Sequence, residues 1–247
     1  MKKLLAGALA TAAIFGTAFL HAAQAPKILN FSWNITVDAD GRVTRLDSEG
    51  KLVPDLKDRL EREIRTWRFK PGTINGQAAA TESRLYVALQ ATPIDDERSA
   101  LHVIRAATGG GYGKMVPPRY PAASVSARRQ GLVLLQVHYD ENGQVVESAL
   151  YEKAPQADKA LVDAAIAAVK RWTFAPEVVG GRPLASTALV PVCFSLHGAG
   201  IRPPKCDWER PGESAANASR IAAAADDTTP AFDSALKFET AVAGRTP

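Results

Sequence analysis

The chain has little of what catalysis and metal binding require. Its 247 residues include four histidines and two cysteines, and none belongs to a His-x-x-x-His, Gly-x-Ser-x-Gly or Cys-His signature. His21 stands near the amino terminus, while His102, His138 and His197 are far apart in sequence. A metal site would need a second pair of thiols or paired histidines close to Cys193 and Cys206, and the sequence has neither. Lys and Arg alternate with acids and form no cluster interleaved with aromatics, which gives a nucleic-acid partner no footing. The stretch "GGGYGKM", residues 109–115, lacks the Gly spacing and the Ser/Thr after Lys114 that a phosphate loop needs. These absences argue against an enzyme, a cofactor and a metal centre.

What is present begins with a leader. "MKKLLAGALATAAIFGTAFLHAAQAPK" has basic Lys2 and Lys3, an uncharged apolar run and Ala23-Gln24-Ala25, so residues 1–25 read as an export signal. The run from Leu4 to Ala25 is also long enough to span a bilayer if it is kept as an anchor. Cleavage takes the formal charge from +4 to +2 by removing Lys2 and Lys3. An exported chain whose two cysteines, Cys193 and Cys206, stand thirteen apart (206 − 193) most simply forms one disulfide.

The rest of the chain says one thing twice. Trp67, Phe69, Pro71 and Gly76 recur as Trp172, Phe174, Pro176 and Gly181 at an offset of 105 (172 − 67), and Asp38, Gly41 and Val43 recur as Asp140, Gly143 and Val145 at 102 (143 − 41). Ahead of each Gly, apolar residues alternate with polar ones: Leu29, Phe31, Trp33, Ile35 and Val37, then Val133, Leu135, Val137 and Tyr139, the period of a half-buried strand. Asp40-Gly41 and Asn142-Gly143 supply hairpins, and Asp38, Asp40 and Asp140 read as turn residues that bond their own backbone. Leu56, Leu60, Ile64 and Trp67, like Leu161, Ala165, Val169 and Trp172, share one helix face. Pro71 and Pro176 end the helical run, and a final alternating segment follows in each copy.

The expected fold class is therefore α+β: two tandem β-β-α-β units, residues 27–91 and 117–210, each an antiparallel three-stranded sheet with one helix. The paired aromatics would cover sheets too small to close their own cores. Residues 92–116 read as a linker with room for a short helix after Asp95, and residues 211–247 as a weakly ordered tail.

Residues 117–196 resemble the C-terminal domain of the TonB family of energy transducers. The likeness runs from Tyr120-Pro121 through Gly131, the Asn142-Gly143 hairpin and Arg171-Trp172-x-Phe174-x-Pro176 to a closing strand. Residues 27–91 look like a diverged copy that lacks the Tyr-Pro opening. The resemblance implies a periplasmic domain that grips the N-terminal peptide of an outer-membrane receptor by adding it to the sheet as a strand, which open sheet edges permit. It implies partner contacts at Leu189, Val190 and Val192 on the closing strand and at Arg119, Tyr120 and Pro121 beside it. Arg119 stands where the family typically has Gln, and Pro117, Pro118 and Pro121 equally read as a stiff entry into the first strand.

If retained, the leader would resemble the family's membrane helix, which couples to an ExbB/ExbD-like inner-membrane complex; Thr17 and His21 have the spacing of its Ser/His pair. The family's Pro-rich spacer is absent here. Two readings stay open: a protein of energy-coupled uptake facing the periplasm, or a soluble periplasmic peptide- or protein-binding module. Open edges also leave room for a homodimer, or for pairing between the two units that would consume them.

Overall fold

The computed structural model describes residues 27–95, 98–211 and 229–247; the leader, with Thr17 and His21, lies outside the described residues. No helix among the described residues is long and apolar enough to cross a membrane. In chain order the first elements are β1 (Lys27–Val37), β2 (Val43–Glu49), α1 (Pro54–Thr66), β3 (Phe69–Lys70), β4 (Thr73–Ile74), β5 (Gln77–Ala78), β6 (Thr81–Pro93), β7 (Ser99–Gly109) and β8 (Gly111–Tyr112). There follow α2 (Ala122–Ser126), β9 (Gly131–Tyr139), β10 (Val145–Leu150), α3 (Lys159–Val169), β11 (Phe174–Ala175), β12 (Val178–Val179), β13 (Arg182–Pro183), β14 (Ser186–Phe194), β15 (Ala231–Phe232) and β16 (Lys237–Phe238). The architecture is α+β and dominated by sheet.

The alternation of β1 turns Trp33, Ile35 and Val37 to one side, where they meet Leu60, Ile64 and Trp67 of the helix segment and Leu85 and Leu89 of β6. β1 lies between β2 and β6, antiparallel to both. In the second sheet β9 lies between β10 and β14, and its Val133, Leu135 and Val137 face Leu161, Ala165 and Val169 of α3. Pro54 suits the first turn of α1 because its φ is already helical and its missing N–H would have no partner there. Asp158 caps α3 by accepting from the Ala160 N–H at 3.2 Å.

The two hairpins are clamped in the same way. Asp38 Oδ1 accepts from Asp40 and Arg42 N–H, and Asp140 Oδ1 from Asn142 and Gln144 N–H. Gly41 and Gly143 follow at φ +79° and +75°; a Cβ there would lie 2.1 Å from the Phe69 carbonyl oxygen and 1.9 Å from that of Phe174. Each Gly carbonyl accepts the N–H of that same Phe, at 3.1 and 2.8 Å. The turn thus packs directly on the chain leaving the helix, which is why Asp/Asn-Gly and Trp-x-Phe travel together. Each second strand also carries a bulge, at Thr44 and at Val146, the residues left without a register partner.

Several expectations about the flanks are corrected. Neither sheet stops at three strands: β7 and the β12–β13 hairpin extend the first to six, and β15 extends the second to four. Instead of a short helix after Asp95, residues 99–109 form β7, antiparallel to β6 from Arg84↔Gly109 to Pro93↔Ser99. An unpaired β6 would leave a row of backbone donors and acceptors without partners, and β7 supplies them. The second half also joins the first: Val178 and Val179 of β12 pair with Glu82 and Thr81 of β6.

Residues 229–247, expected to be weakly ordered, form a packed strap. Leu236 is fully buried, Phe238 lies 6.0 Å from the Trp67 ring and 4.9 Å from Phe69, and β16 pairs with β3. Few apolar residues do this packing, and the surrounding Ala, Asp and Thr dilute them in the sequence. Trp172, placed by its spacing in the last helical turn, stands beyond the end of α3; its indole N–H donates to the Val116 carbonyl at 2.7 Å.

Candidate functional site

The site is built on the outer edge of β14. The Thr187 carbonyl accepts the Asp233 N–H at 2.9 Å, so the odd-numbered residues of β14 present their backbone groups outward and the even-numbered ones present theirs to β9. β15 takes the near part of that edge, with Ala188 opposite Phe232 and Leu189 opposite Ala231. Among the described residues no strand pairs with the edge beyond Leu189. Pro191 has no N–H, a residue type tolerated in a strand where that side faces no partner. Cys193 therefore presents the full donor and acceptor pair on the open stretch.

The structure distributes the expected contact residues unevenly. Val190 and Val192 are buried in the core against α3, and their parity turns their backbone inward as well. Leu189 packs on the opposite face of the sheet with Trp208, Leu132 and Leu134. Tyr120 does reach the strand: its ring meets Phe194 edge-on at 5.2 Å, and its hydroxyl donates to the Arg129 carbonyl at 2.7 Å. Arg119 is exposed beside it, and Pro121 opens α2. Cys193 and Cys206 form a disulfide, with Cα atoms 5.8 Å apart, that holds Trp208 over the outer face of the sheet.

β15 is held far more firmly than a two-residue strand could hold itself. Phe232 stacks on Tyr86 at 6.0 Å, meets Tyr112 and Phe174, and fills the space above Gly109. Just beyond it the buried Glu177 carboxylate accepts from Ser83 Oγ at 2.5 Å, Ser234 Oγ at 2.7 Å and Ala235 N–H at 2.6 Å. Burial in this aromatic junction pushes Tyr86 and Tyr139 up to about 12, and pushes Tyr112 up as well. His138 is engaged by Thr187 Oγ1 at 2.8 Å, and no group of three His, Cys, Asp or Glu among the described residues is placed to hold a metal.

Residues 116–196, which contain this edge, match the family of the Gram-negative bacterial TonB protein C-terminal domain. This segment is a TonB C-terminal domain. Similar proteins include Protein TonB of Xanthomonas campestris pv. campestris (strain B100), 37% identical over 83 residues, which are 34% of this chain and 36% of that protein. Protein TonB of Vibrio cholerae serotype O1 is 30% identical over 83 residues, 34% of this chain and 33% of its own. Protein tonB2 of Pseudomonas aeruginosa is 34% identical over 87 residues, 35% of this chain and 32% of its own. The chain thus spans about a third of the length of these curated relatives. No solved structure matches it.

The sequence reading places the pairing edge on the closing strand, Ala188 to Leu196, but names Leu189, Val190 and Val192 in it, whereas strand parity turns the backbone of Pro191 and Cys193 outward. It misses Phe232 and Glu177, which act through residues distant in the chain and leave no local signal.

Proposed function

We propose that this is a non-enzymatic periplasmic TonB-like protein whose β14 edge receives the extended N-terminal peptide of an outer-membrane transport receptor as an added strand. One observation carries the reading: the edge of β14 beyond Leu189 is unpaired among the described residues, with Tyr120 beside its end, inside a TonB C-terminal domain. The chain also contains a precedent, because β7 adds to β6 as an antiparallel partner. Residues 27–91 are, on this reading, a diverged second copy; the bulges at Thr44 and Val146, 102 apart (146 − 44), and the paired Gly–Phe clamps support it. Its closing strand β6 is already paired by β7 and β12, so that strand offers no edge.

Residues 1–25 direct export. Kept as an inner-membrane anchor, they would let an ExbB/ExbD-like complex drive energy-coupled uptake; cleaved, they leave a soluble peptide- or protein-binding module. The half-filled edge favours the module, since a partner pairing only beyond Leu189 gains few hydrogen bonds against a pull.

Backbone chemistry tests the strand-addition claim directly. A receptor peptide N-methylated at alternate residues loses the donors aimed at β14 in one series and those aimed at solvent in the other. One series should abolish binding in a calorimetric titration and the other should leave it unchanged. Equal tolerance of both series would refute strand addition.

A further inference from the structure

β2 and β10 are the end strands of the two sheets, and among the described residues no strand pairs with the outer edge of either. The edge of β2 is guarded by charge. Arg45 and Asp47 form an ion pair on it at 2.5 Å, and α1 carries Lys57 paired with Glu61 at 3.8 Å. Arg59 and Glu63 of α1 reach Pro247 and Arg245 of the strap, which lies along β7, so Lys57 and Glu61 stand on the side of α1 toward β2. At the matching positions, 102 residues on in the strand (147 − 45) and 105 on in the helix (162 − 57), the second half of the chain has Glu147, Ala149, Val162 and Ile166, and Leu150 stands where β2 has Ser48. Val146 is 66% exposed and Leu150 41%, while Val162 and Ile166 are only partly covered by the second core. The same flank is charged in one half and apolar in the other, so the fold does not impose the apolar surface.

From this contrast we infer that the β10 edge and the adjoining flank of α3 form an interface between two copies of this chain, joined strand to strand about a twofold axis. The Tyr151 N–H donates to the Leu134 carbonyl at 2.9 Å, so the odd-numbered residues of β10 bond to β9, and Ser148 and Leu150 present their backbone outward. In an antiparallel pair of β10 strands, Ser148 bonds with the partner's Leu150, and Ala149 meets its twin on the axis. This register begins beyond the bulge at Val146 and puts a small side chain at the closest approach. It also sets Glu147, the one charged residue of β10, opposite the partner's Tyr151 and away from its own twin. The edge thus complements itself in size and charge, as a twofold contact requires. The two α3 helices then run antiparallel over the seam, where Leu150, Val162 and Ile166 of both copies leave water together. β9 separates β10 from β14, so the contact leaves the β14 edge of each copy untouched and does not draw on strand addition.

The test uses the full chain. Sedimentation equilibrium in the micromolar range should show a dimer, and Leu150→Lys, at a position exposed in the single chain, should weaken it by about tenfold or more by bringing two cations together at the seam. Ser48→Lys, at the matching place on β2, should change nothing. Both native cysteines are taken by the disulfide, so Ala149→Cys supplies the one free thiol. In air it should link two copies covalently, because twinned residues of a non-hydrogen-bonded pair stand about 4.5 Å apart at Cα. Glu147→Cys should not, since its twin lies four residues away along the seam. A chain that stays monomeric at every concentration would overturn the interface. A dimer that ignores Leu150→Lys and does not cross-link through Ala149→Cys would place the contact on another surface and overturn it as well.

Discussion

Gly143 sits where a side chain cannot: its φ is +75°, and a Cβ would fall 1.9 Å from the Phe174 carbonyl oxygen. Gly143→Ala is expected to destabilise the protein by well over 1 kcal/mol, read as a lower urea midpoint at unchanged m-value. Glu177 makes the opposite kind of contribution, through distant partners. Glu177→Ala would leave the Ala235 N–H without its acceptor and take one bond each from Ser83 and Ser234, which keep Gly109 and Thr108 as partners, at a cost of about 2 kcal/mol in the same unfolding assay. The contrast explains what the sequence could reveal about residues. Asp38 and Asp140 bond N–H groups two and four positions on, so the turns that also hold Gly41 and Gly143 are local and readable, although the packing of those glycines on Phe69 and Phe174 is not. Ser83 and Ser234 lie 94 and 57 residues from Glu177, and no short-range pattern reports such a contact.

At the scale of elements, β1, β9, α1 and α3 follow from periodicity, because one buried face imposes period two on the two strands and a helical stripe on the two helices. β7 escaped for a specific reason. Its register on β6 slips at Ile104, so Val103 and Ile104 are both buried and the alternation breaks in the middle of the strand. The strap escaped because its packing depends on a few apolar residues, Phe232, Leu236, Phe238 and Val242, in a stretch of weak composition. Ending the chain at residue 228 should uncover Trp67 and Phe69, bind the dye ANS and lower the unfolding midpoint. Replacing Cys193 and Cys206 together by Ser should cost about 3 kcal/mol, the chain-entropy value for a loop of 13 residues.

For the whole molecule, the junction of Tyr86, Tyr112, Tyr139, Phe174 and Phe232 joins the two sheets, and it responds to pH. Burial raises Tyr86 and Tyr139 to about 12 in the folded state, whereas an unfolded tyrosine ionises near 10. The folded state thus holds its tyrosine protons more tightly, so stability is fully present below about pH 10 and is lost as the pH rises toward 12. Thermal melts should fall steeply across that window while melts between pH 7 and 9 stay level, and the phenolate absorbance of the three junction tyrosines should rise only with unfolding.

Strand addition at β14 is the central claim, and amide exchange at Cys193 tests it most directly, because that N–H points out along the unpaired edge. Hydrogen exchange would be read by NMR on the full chain, with and without a saturating receptor N-terminal peptide. The account predicts that exchange at Cys193 slows at least tenfold, while Val190 and Val192, already paired to β9, do not change. A peptide that binds yet leaves Cys193 exchanging as freely as before would contradict it.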